Sequence, residues 1–290
     1  MNTQKLRVLL EAIELGSLTK AGESLGYTQS ALTQTMKSLE TELDIPLLNK
    51  TPRGVEPTRE ALILLPEIRQ ILNDEHHLMQ EIDEIKGIRK GLIRIGSFTS
   101  TSIRWMPKVL QYFQENYPDI VFEITECGQE EMLRGVADGT LDMAFMSDPE
   151  TDEIDFIPVL EEPMYVVFSS KHDLSGYDFV PMSELRNHPY IVESYDRDTY
   201  KIFEIAGFEP ETRYYSRDII AILEMIKQGL GIAVLPELIV EQFPGDYDYR
   251  MLDPEVYRTL GIGVKNKQSC GPLARFLISY IKDNVAMWNK

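Results

Sequence analysis

The chain of 290 residues is too long for one ordinary hydrophobic core and suits two or three domains. Its composition is that of a soluble globular protein, and no apolar run approaches the roughly 18 residues of a membrane span. The formal net charge of -18 argues against a general nucleic-acid binder, for which a basic domain is expected. Residues 1–90 carry only -3 of that charge, so any DNA contact there must be local.

The N-terminal segment MNTQKLRVLLEAIELGS has apolar residues on one helical face and acidic residues within the pattern. It therefore indicates an amphipathic helix and not a signal peptide, since no small-residue cleavage site follows. The two cysteines, Cys127 and Cys270, make no disulfide framework. We expect a reduced, cytoplasmic setting for the protein.

Two further helices are expected before residue 45. Gly16-Ser17 ends the first helix, and a short second pattern ends at Gly26. Thr28 has the side chain of an N-cap and is expected to start the third helix. The apolar back of the third helix consists of Leu32, Met36, Leu39 and Leu43.

The front of the third helix carries short polar side chains where a merely solvated face would more often carry Glu and Lys. They are Gln29, Ser30, Thr33, Gln34, Lys37 and Thr41. Gln can pair bidentately with adenine, and Ser and Thr can bond to base edges or contact a thymine methyl. Two helices joined by a tight turn, the second with such a front, have the helix-turn-helix layout. On pattern alone, a solvated face is an equal alternative.

The next segment, IPLLNKTPRGVEPT, combines short apolar runs with Pro and Gly. It predicts a two-stranded wing. Three cations, Lys50, Arg53 and Arg59, lie within this segment or directly after it. The wing tip around Arg53 could contact phosphate or a minor groove.

Residues 6–58 resemble the winged helix-turn-helix of LysR-type transcriptional regulators. The resemblance lies in the GSLTKA turn, the TQSALT start of the third helix, the SLE before a short linker, and the PT before a long helix. It implies that the third helix is a DNA-recognition helix. The DNA-contact residues are therefore expected to be Thr28, Gln29, Ser30, Thr33, Gln34, Lys37, Lys50 and Arg53.

The segment departs from the family pattern at a few positions. The family usually has two alanines where this chain has Ala21-Gly22, and a helical glycine costs up to about 1 kcal/mol. It usually has Phe and Arg at Leu48 and Lys50, and Gly at Ala61. Lys50 lacks the guanidinium fork that binds a phosphate bidentately. These departures concern the exact contacts of the wing with DNA and not the presence of the motif.

Residues 58–86 show a helical pattern with a heptad-like apolar seam. Its members are Leu64, Ile68, Ile71, Leu78, Ile82 and Ile85, with Glu75 in one slot and Leu65, Leu72 and Met79 beside it. Such a helix is expected to pair with a second copy, although packing on its own domain is the alternative. Pro66 lies near its start, where a proline can kink a helix, and residues 87–91, GIRKG, are expected to form a basic hinge. The family resemblance implies an antiparallel linker-helix homodimer, which would bind an interrupted palindrome of double-stranded DNA.

Strands and helices alternate over the remaining residues, so we predict an α/β domain with a mostly parallel sheet. The pattern resembles the two-lobed, periplasmic-binding-protein-like effector domain of the same family. The fold class is therefore multidomain: an all-α winged helix-turn-helix domain, a long linker helix and an α/β effector domain. The expected limits are 1–60, 58–90 and 91–290, with lobe I at 92–162 and 268–290 and lobe II at 163–267.

Ligands of α/β sheets bind at the carboxyl ends of strands, where this chain places several hydroxyl groups. The segment SFTSTS, residues 97–102, leads from a strand into a helix N-terminus and predicts an anion cradle. In the family, positions matching Ser100, Thr101 and Gln129 contact the effector. The full expected set is Thr99, Ser100, Thr101, Ser102, Gln129, Ser147, Ser194 and Tyr195. For each residue alone, helix capping is at least as good an explanation.

The charge of the expected ligand is left open by the sequence. Arg104 could pair with an effector carboxylate or could lie at the surface. The acids Glu126, Asp148 and Glu193 follow the predicted strand ends, so an amine-bearing or neutral effector is equally possible.

No recognised catalytic or cofactor motif is present, so we expect neither an enzyme nor a bound cofactor. None of the four histidines has a spacing that closes a metal site with a cysteine. A redox role for Cys127 or Cys270 is the less favoured alternative to buried, inert thiols.

The leading hypothesis is a sequence-specific transcriptional regulator controlled by a small-molecule effector bound between the lobes. It would form a homodimer or homotetramer, and the resemblance also implies contact with RNA polymerase. The rival is a two-lobed solute-binding or enzymatic protein whose front helices serve assembly only. A third possibility is a DNA binder with steep salt dependence and little sequence preference.

Overall fold

The chain folds into two units, and a computed structural model describes residues 2–86, 90–193 and 197–288. The first unit comprises residues 1–82 with 138–140, and the second comprises 83–137 and 141–290. The predicted hinge residues 87–89 and the predicted ligand residues Ser194 and Tyr195 lie outside the described residues.

The first unit begins with three helices that start where capping side chains stand. Ser17 accepts a hydrogen bond from the Lys20 amide, and Thr28 accepts one from the Ala31 amide, as N-caps do. Gly26 adopts a φ of 72°, which a glycine tolerates without steric cost, and so ends the second helix. The helices are α1 (Thr3–Glu14), α2 (Leu18–Leu25) and α3 (Gln29–Leu43).

A hydrophobic core joins these helices, and the predicted apolar back of α3 lies in it. Leu32, Met36 and Leu39 are buried, and Leu43 packs at the edge. The predicted wing is present as an antiparallel pair, β1 (Leu48–Thr51) and β2 (Gly54–Pro57).

The long helix α4 (Arg59–Ile85) contains Pro66 and starts after Thr58, whose hydroxyl accepts from the Ala61 amide at 3.0 Å. Packing on its own domain, the alternative to pairing with a second copy, applies to the first part of the helix. Leu65 and Ile68 are buried against the unit's own core. Further along the helix, the apolar side chains of Ile71, Leu78, Met79 and Ile85 are exposed.

The second unit is built on an eight-stranded sheet with the order β4-β3-β5-β12-β6-β11-β7, to which β10 adds by pairing with β6. A separate parallel pair, β8-β9, completes the strands. The strands are β3 (Gly91–Ser97), β4 (Ile120–Glu126), β5 (Met143–Ser147), β6 (Asp155–Ser169), β7 (Val180–Pro181), β8 (Tyr190–Glu193), β9 (Thr212–Ser216), β10 (Ala233–Pro236), β11 (Tyr247–Asp253) and β12 (Tyr257–Val264). The helices are α5 (Thr99–Arg104), α6 (Met106–Asn116), α7 (Gln129–Asp138), α8 (Arg197–Ala206), α9 (Ile219–Lys227), α10 (Glu237–Val240) and α11 (Pro272–Trp288), with 3₁₀ turns at Asp173–Gly176 and Met182–Asn187.

The expectation of a mostly parallel sheet is wrong for the main sheet. Strands β4, β3 and β5 are parallel, but β12 pairs antiparallel with both β5 and β6, and β10 and β11 pair antiparallel with β6. The reason is that β6 and β12 carry the chain in opposite directions between two lobes, so neighbouring strands must run against each other.

The long strand β6 is shared by the two lobes. Its first part pairs with β12, and its second part pairs with β10 and β11. The structure also differs from the expectation that residues 163–267 form one lobe. Leu260, Ile262 and Val264 of β12 belong to the core that surrounds Trp105 in the first lobe. Strand pairing decides this, because an apolar strand can suit either core. The other predicted limits stay predictions.

Candidate functional site

The polar face of α3 is exposed and retains free hydrogen-bonding groups. Gln29, Gln34 and Lys37 are exposed. In the described part of the chain, none of these three side chains forms a hydrogen bond or an ion pair. Thr33 is half-buried and donates its hydroxyl to the carbonyl of Gln29 at 2.9 Å. The amides therefore have both donors and acceptors available, whereas the hydroxyl of Thr33 can only accept.

Thr28 and Ser30 stand together at the start of α3, where helix amides point outward. Their hydroxyl oxygens are 3.1 Å apart, and Thr28 also caps the helix. On the wing, Lys50 pairs across the strands with Val55, and Arg53 follows in the turn; both cations are exposed. The structure thus places all eight predicted DNA-contact residues in the first unit, on α3, its cap and the wing.

The departure at Gly22 has a structural reason. A Cβ at this position would lie 2.8 Å from the carbonyl oxygen of Tyr27, in the backbone that joins α2 to α3. Real Cβ atoms essentially never approach another atom so closely, so the backbone would have to shift. Gly22 therefore permits the close approach of the turn to α2, and its low helix propensity is offset by that packing.

A cavity of about 390 Å³ lies between the two lobes of the second unit. The first lobe contributes the ends of β3 and β4 and the first turns of α5 and α7. The second lobe contributes the end of β8 and parts of α8, α9 and α10. The lining residues are Phe98, Thr99, Ser100, Glu126, Cys127, Gly128, Gln129, Glu130, Glu131, Arg134, Glu193, Arg197, Asp198, Arg217, Ile219, Pro236, Ile239 and Arg258.

Three of the predicted ligand residues line this cavity: Thr99, Ser100 and Gln129. Thr101, Ser102 and Ser147 do not line it, and Thr101 and Ser147 are buried. Thr101 shares a 2.7 Å hydrogen bond with Ser97, which fixes the start of α5. Arg104 also lies outside the lining and pairs with Glu241 at 3.6 Å.

Gln129 is buried and its amide is engaged with the backbone of Ser147. Its Nε2 donates to the Ser147 carbonyl at 2.8 Å, and its Oε1 accepts from the Ser147 amide at 3.0 Å. A buried side chain in such a double contact holds the end of β5 in place. Gln129 therefore shapes the cavity wall, and its second amide hydrogen and the second lone pair of Oε1 are left for a ligand.

A buried ion pair between Arg258 and Glu162 lies at the floor of the cavity. The two residues are opposite each other on β12 and β6, and Glu162 is completely buried. Arg258 donates from Nε to Glu162 at 2.7 Å and from Nη2 to the Ser100 hydroxyl at 3.2 Å. Asp198 lies 3.8 Å from Arg258 and accepts a hydrogen bond from the Ser147 hydroxyl.

Sequence reasoning missed this pair. Its signal was present: opposite charges interrupt the apolar runs VLEEPMYVVF and YRTLGIGV. A charge within a buried strand is rarely tolerated unless it is paired. The partner could not be named, because the two residues are 96 positions apart.

Helix α8 of the second lobe forms hydrogen bonds with a turn of the first lobe at one side of the cavity. Arg197 donates to the carbonyl of Pro149 at 3.0 Å and to Glu150 at 3.2 Å, and Lys201 donates to Glu150 at 2.7 Å. The hydrogen bond from Lys201 is the main cause that lowers the pKa of Glu150 below its usual value. Contacts of this kind link the two lobes beside the ligand space.

The thiol of Cys127 lines the cavity in acidic surroundings. Burial raises its pKa, and the charges of Glu131 and Glu126 raise it further, so the reactive thiolate is disfavoured. Burial likewise raises the pKa of Cys270. Both cysteines are free.

Residues 2–86, 90–193 and 197–288 contain no group of three or more His, Cys, Asp or Glu side chains placed to hold a metal ion. Within the same ranges, no helix is long and apolar enough to cross a membrane.

A winged helix-turn-helix with a free polar face, followed by a two-lobed α/β domain around a polar cavity, defines a DNA-binding protein with a ligand-binding domain. Residues 3–62 match the model of the bacterial regulatory helix-turn-helix protein, lysR family, and residues 86–286 match the LysR substrate binding domain. The chain belongs to the LysR family. It is a DNA-binding transcriptional regulator with an effector-binding domain.

Relatives and solved structures agree with this assignment. The chain is 28% identical to the uncharacterized HTH-type transcriptional regulator YvbU of Bacillus subtilis over 98% of each protein. It is 31% identical to YwbI of the same organism, over 90% of this chain and 85% of that one. Its fold is similar to full-length OxyR from Pseudomonas aeruginosa (TM-score 0.79, 18% identity, 96% and 93% covered). It is also similar to CbnR complexed with its target DNA (TM-score 0.67, 18% identity, 98% and 99% covered).

Proposed function

We propose that α3 is the recognition helix and contacts base edges in the major groove. The contacting residues would be Thr28, Gln29, Ser30, Thr33, Gln34 and Lys37, with Lys50 and Arg53 of the wing on the phosphate backbone. The observation that carries this proposal is the pair of exposed glutamine amides, whose donors and acceptors have no partner among the described residues. A glutamine amide matches the adenine edge with two hydrogen bonds.

We further propose that the exposed part of α4 pairs with a second copy of the chain. Ile71, Leu78 and Ile85 are spaced by seven residues and lie on one side of the helix, with exposed fractions of 39%, 59% and 84%. Among the residues that the structure describes, these three side chains are all counted as exposed. The resulting homodimer would present two recognition helices to an interrupted palindrome, and two dimers would form a homotetramer.

The ligand of the cavity is proposed to be a small-molecule effector. Thr99, Ser100 and Gln129 line the space, and Thr101, Ser102 and Ser147 support its wall; Ser194 and Tyr195 remain part of the proposed set. Effector binding would change the relative placement of the dimers, and with it DNA bending and contact with RNA polymerase in the cytoplasm. Such coupling requires that the effector bind two assembly states with different affinity. The protein itself would catalyse no reaction.

The test of DNA recognition is a selection of genomic fragments by the purified full-length protein, followed by affinity measurements on the selected site. Gln29→Ala and Gln34→Ala should each weaken specific binding by about 5- to 150-fold, since a bidentate base contact contributes about 1–3 kcal/mol. Gln111→Ala, an exposed glutamine of α6, is the matched control and should bind as the wild type does. Binding without sequence preference, unchanged by either substitution, would contradict the proposal and favour the rival two-lobed binding protein.

The test of dimerisation uses two leucines on opposite sides of α4. Leu78→Asp introduces a charge into the exposed stripe and should raise the dimer dissociation constant at least tenfold in sedimentation velocity. Leu62 is similarly exposed, at 54%, but lies about 160° away around the helix at 100° per residue. Leu62→Asp should leave the dissociation constant near that of the wild type. Equal effects of the two substitutions would show that the stripe is not the interface.

A further inference from the structure

Some of the charged side chains that line the cavity form ion pairs within the protein, and others do not. Arg258 is paired with Glu162, and Arg197 is paired with Glu150. By contrast, Glu126, Glu130 and Glu131 have no ion-pair partner among the described residues. Arg134 also lines this part, and its Nε donates to the Glu130 carbonyl at 3.3 Å. Three carboxylates beside this one cation leave a net negative charge, which favours a protonated amine.

These three carboxylates come from neighbouring elements of the first lobe. Glu126 ends β4, and Glu130 and Glu131 stand in the first turn of α7. The hydroxyl of Thr99 donates to Glu126, which leaves further acceptor positions on that carboxylate. Burial is the main cause that raises the pKa of the neighbouring Cys127 thiol, and the charges of Glu131 and Glu126 raise it further.

Ser100, at the buried end of the cavity, gives a second and independent indication of the ligand's chemistry. Its residue is 96% buried, and its oxygen accepts a hydrogen bond from Arg258, because a guanidinium can only donate. In the part of the chain that the structure describes, the hydroxyl proton of Ser100 has no acceptor. A buried donor of this kind requires an acceptor atom, which a ligand in the cavity can provide.

Between these two ends, the apolar side chains of Phe98, Ile219 and Ile239 form part of the wall. The cavity of about 390 Å³ lies within the usual range of small-molecule sites, about 300–1,000 Å³.

We propose that the effector is a small organic amine, with its ammonium group at Glu126, Glu130 and Glu131 and a hydrogen-bond acceptor at Ser100. A free amino acid is the simplest molecule of this class. The proposal rests on the proposed function, in that it names the chemistry of the same effector cavity.

The experiment measures binding to the full-length protein at pH 7 by thermal shift and calorimetry. The compounds are the protein amino acids and short aliphatic amines and diamines, each beside its N-acetyl derivative and the corresponding compound without the amine. We expect at least one amine to bind, with N-acetylation weakening it tenfold or more, since it removes a charged hydrogen bond. If no amine binds, or if the acids and N-acetyl compounds bind as tightly as the amines, the proposal is overturned.

Two sets of variants, each with its control, test whether the amine binds in the cavity. Glu126→Gln and Glu131→Gln should each weaken it several-fold, while Glu123→Gln, an exposed acid on the same strand outside the lining, should not. Ser100→Ala should weaken it, while Ser183→Ala, at an exposed serine outside the lining, should not. Unchanged binding by Glu126→Gln, Glu131→Gln and Ser100→Ala would contradict the proposal.

Failure of the amine proposal is distinguishable from failure of the proposed function. The DNA selection requires no effector, so its outcome is independent of the amine series. An acid or neutral compound that binds the cavity and alters DNA affinity would retain the effector site and reject only the amine class.

Discussion

Replacing Glu162 by alanine is expected to destabilise the second unit by about 3–5 kcal/mol, the usual cost of removing one partner of a buried ion pair. Glu162 is fully buried and its carboxylate serves two partners. Its Oε1 accepts from the Leu238 amide at 2.8 Å, and its Oε2 accepts from Arg258 at 2.7 Å. The substitution would remove the acceptor of the Arg258 Nε group and of the Leu238 amide.

The size of this loss is large compared with the total stability of a domain, which is about 5–15 kcal/mol. Removing both charges should be milder, since Glu162→Leu combined with Arg258→Met removes both ions of the buried pair. The neighbouring Glu161 is exposed and bonds to Thr259 at 2.7 Å. Glu161→Ala is therefore the control and should cost about 1 kcal/mol or less.

Urea unfolding followed by tryptophan fluorescence is the appropriate assay. The only two tryptophans of the sequence, Trp105 and Trp288, both lie in the core of the first lobe, so the signal reports this unit alone. This matters because a chain with two units need not unfold in a single transition. If Glu162→Ala costs no more than Glu161→Ala, the pair does not stabilise the second unit and the reasoning is refuted.

Gly22→Ala should destabilise the first unit by about 1–3 kcal/mol through the clash with Tyr27, measured by circular dichroism; a gain in stability would mean that helix propensity outweighs the clash. Thr28→Ala should cost about 1 kcal/mol of stability by loss of the N-cap, and Thr28→Ser should restore it; equal stability of the two variants would contradict the capping role. The lowered pKa of Glu150, due first to Lys201, means that their contact stabilises the fold above the ordinary pKa of 4.5 and is lost as the pH falls through the lowered value. Thermal midpoints of the wild type and Glu150→Gln should therefore differ at pH 7 and converge in acid; a constant difference would remove this contact as the cause.

The first unit was predictable from the sequence because its signals are local. The helical spacing of Leu32, Met36 and Leu39 identified the buried side of α3, and Thr28 identified its start. Proline and glycine between short apolar runs in residues 45–58 indicated the wing, and the apolar seam of residues 58–86 indicated the long helix. Propensity alone misjudged Gly22, since the reason for a glycine there lies in a contact with another segment.

The second unit was predictable as far as the order of its elements but not in their pairing. The pattern located β3, β4 and β5 and three of the cavity residues. It could not assign β12 to the first lobe, because alternation of apolar residues does not name the neighbouring strand. It also missed the Arg258–Glu162 pair for the same reason: contacts between distant segments leave no local periodicity.

The continuity of β6 has a consequence for how such proteins can be recombined. One unbroken strand, residues 155–169, supplies side chains to the cores of both lobes, and β12 returns beside it. A chimaera that exchanges one lobe between relatives would split a strand or replace one of two interlocking partners. We therefore expect the effector domain to be exchangeable only as a whole, and a chimaera to function only when β6 and β12 come from the same parent.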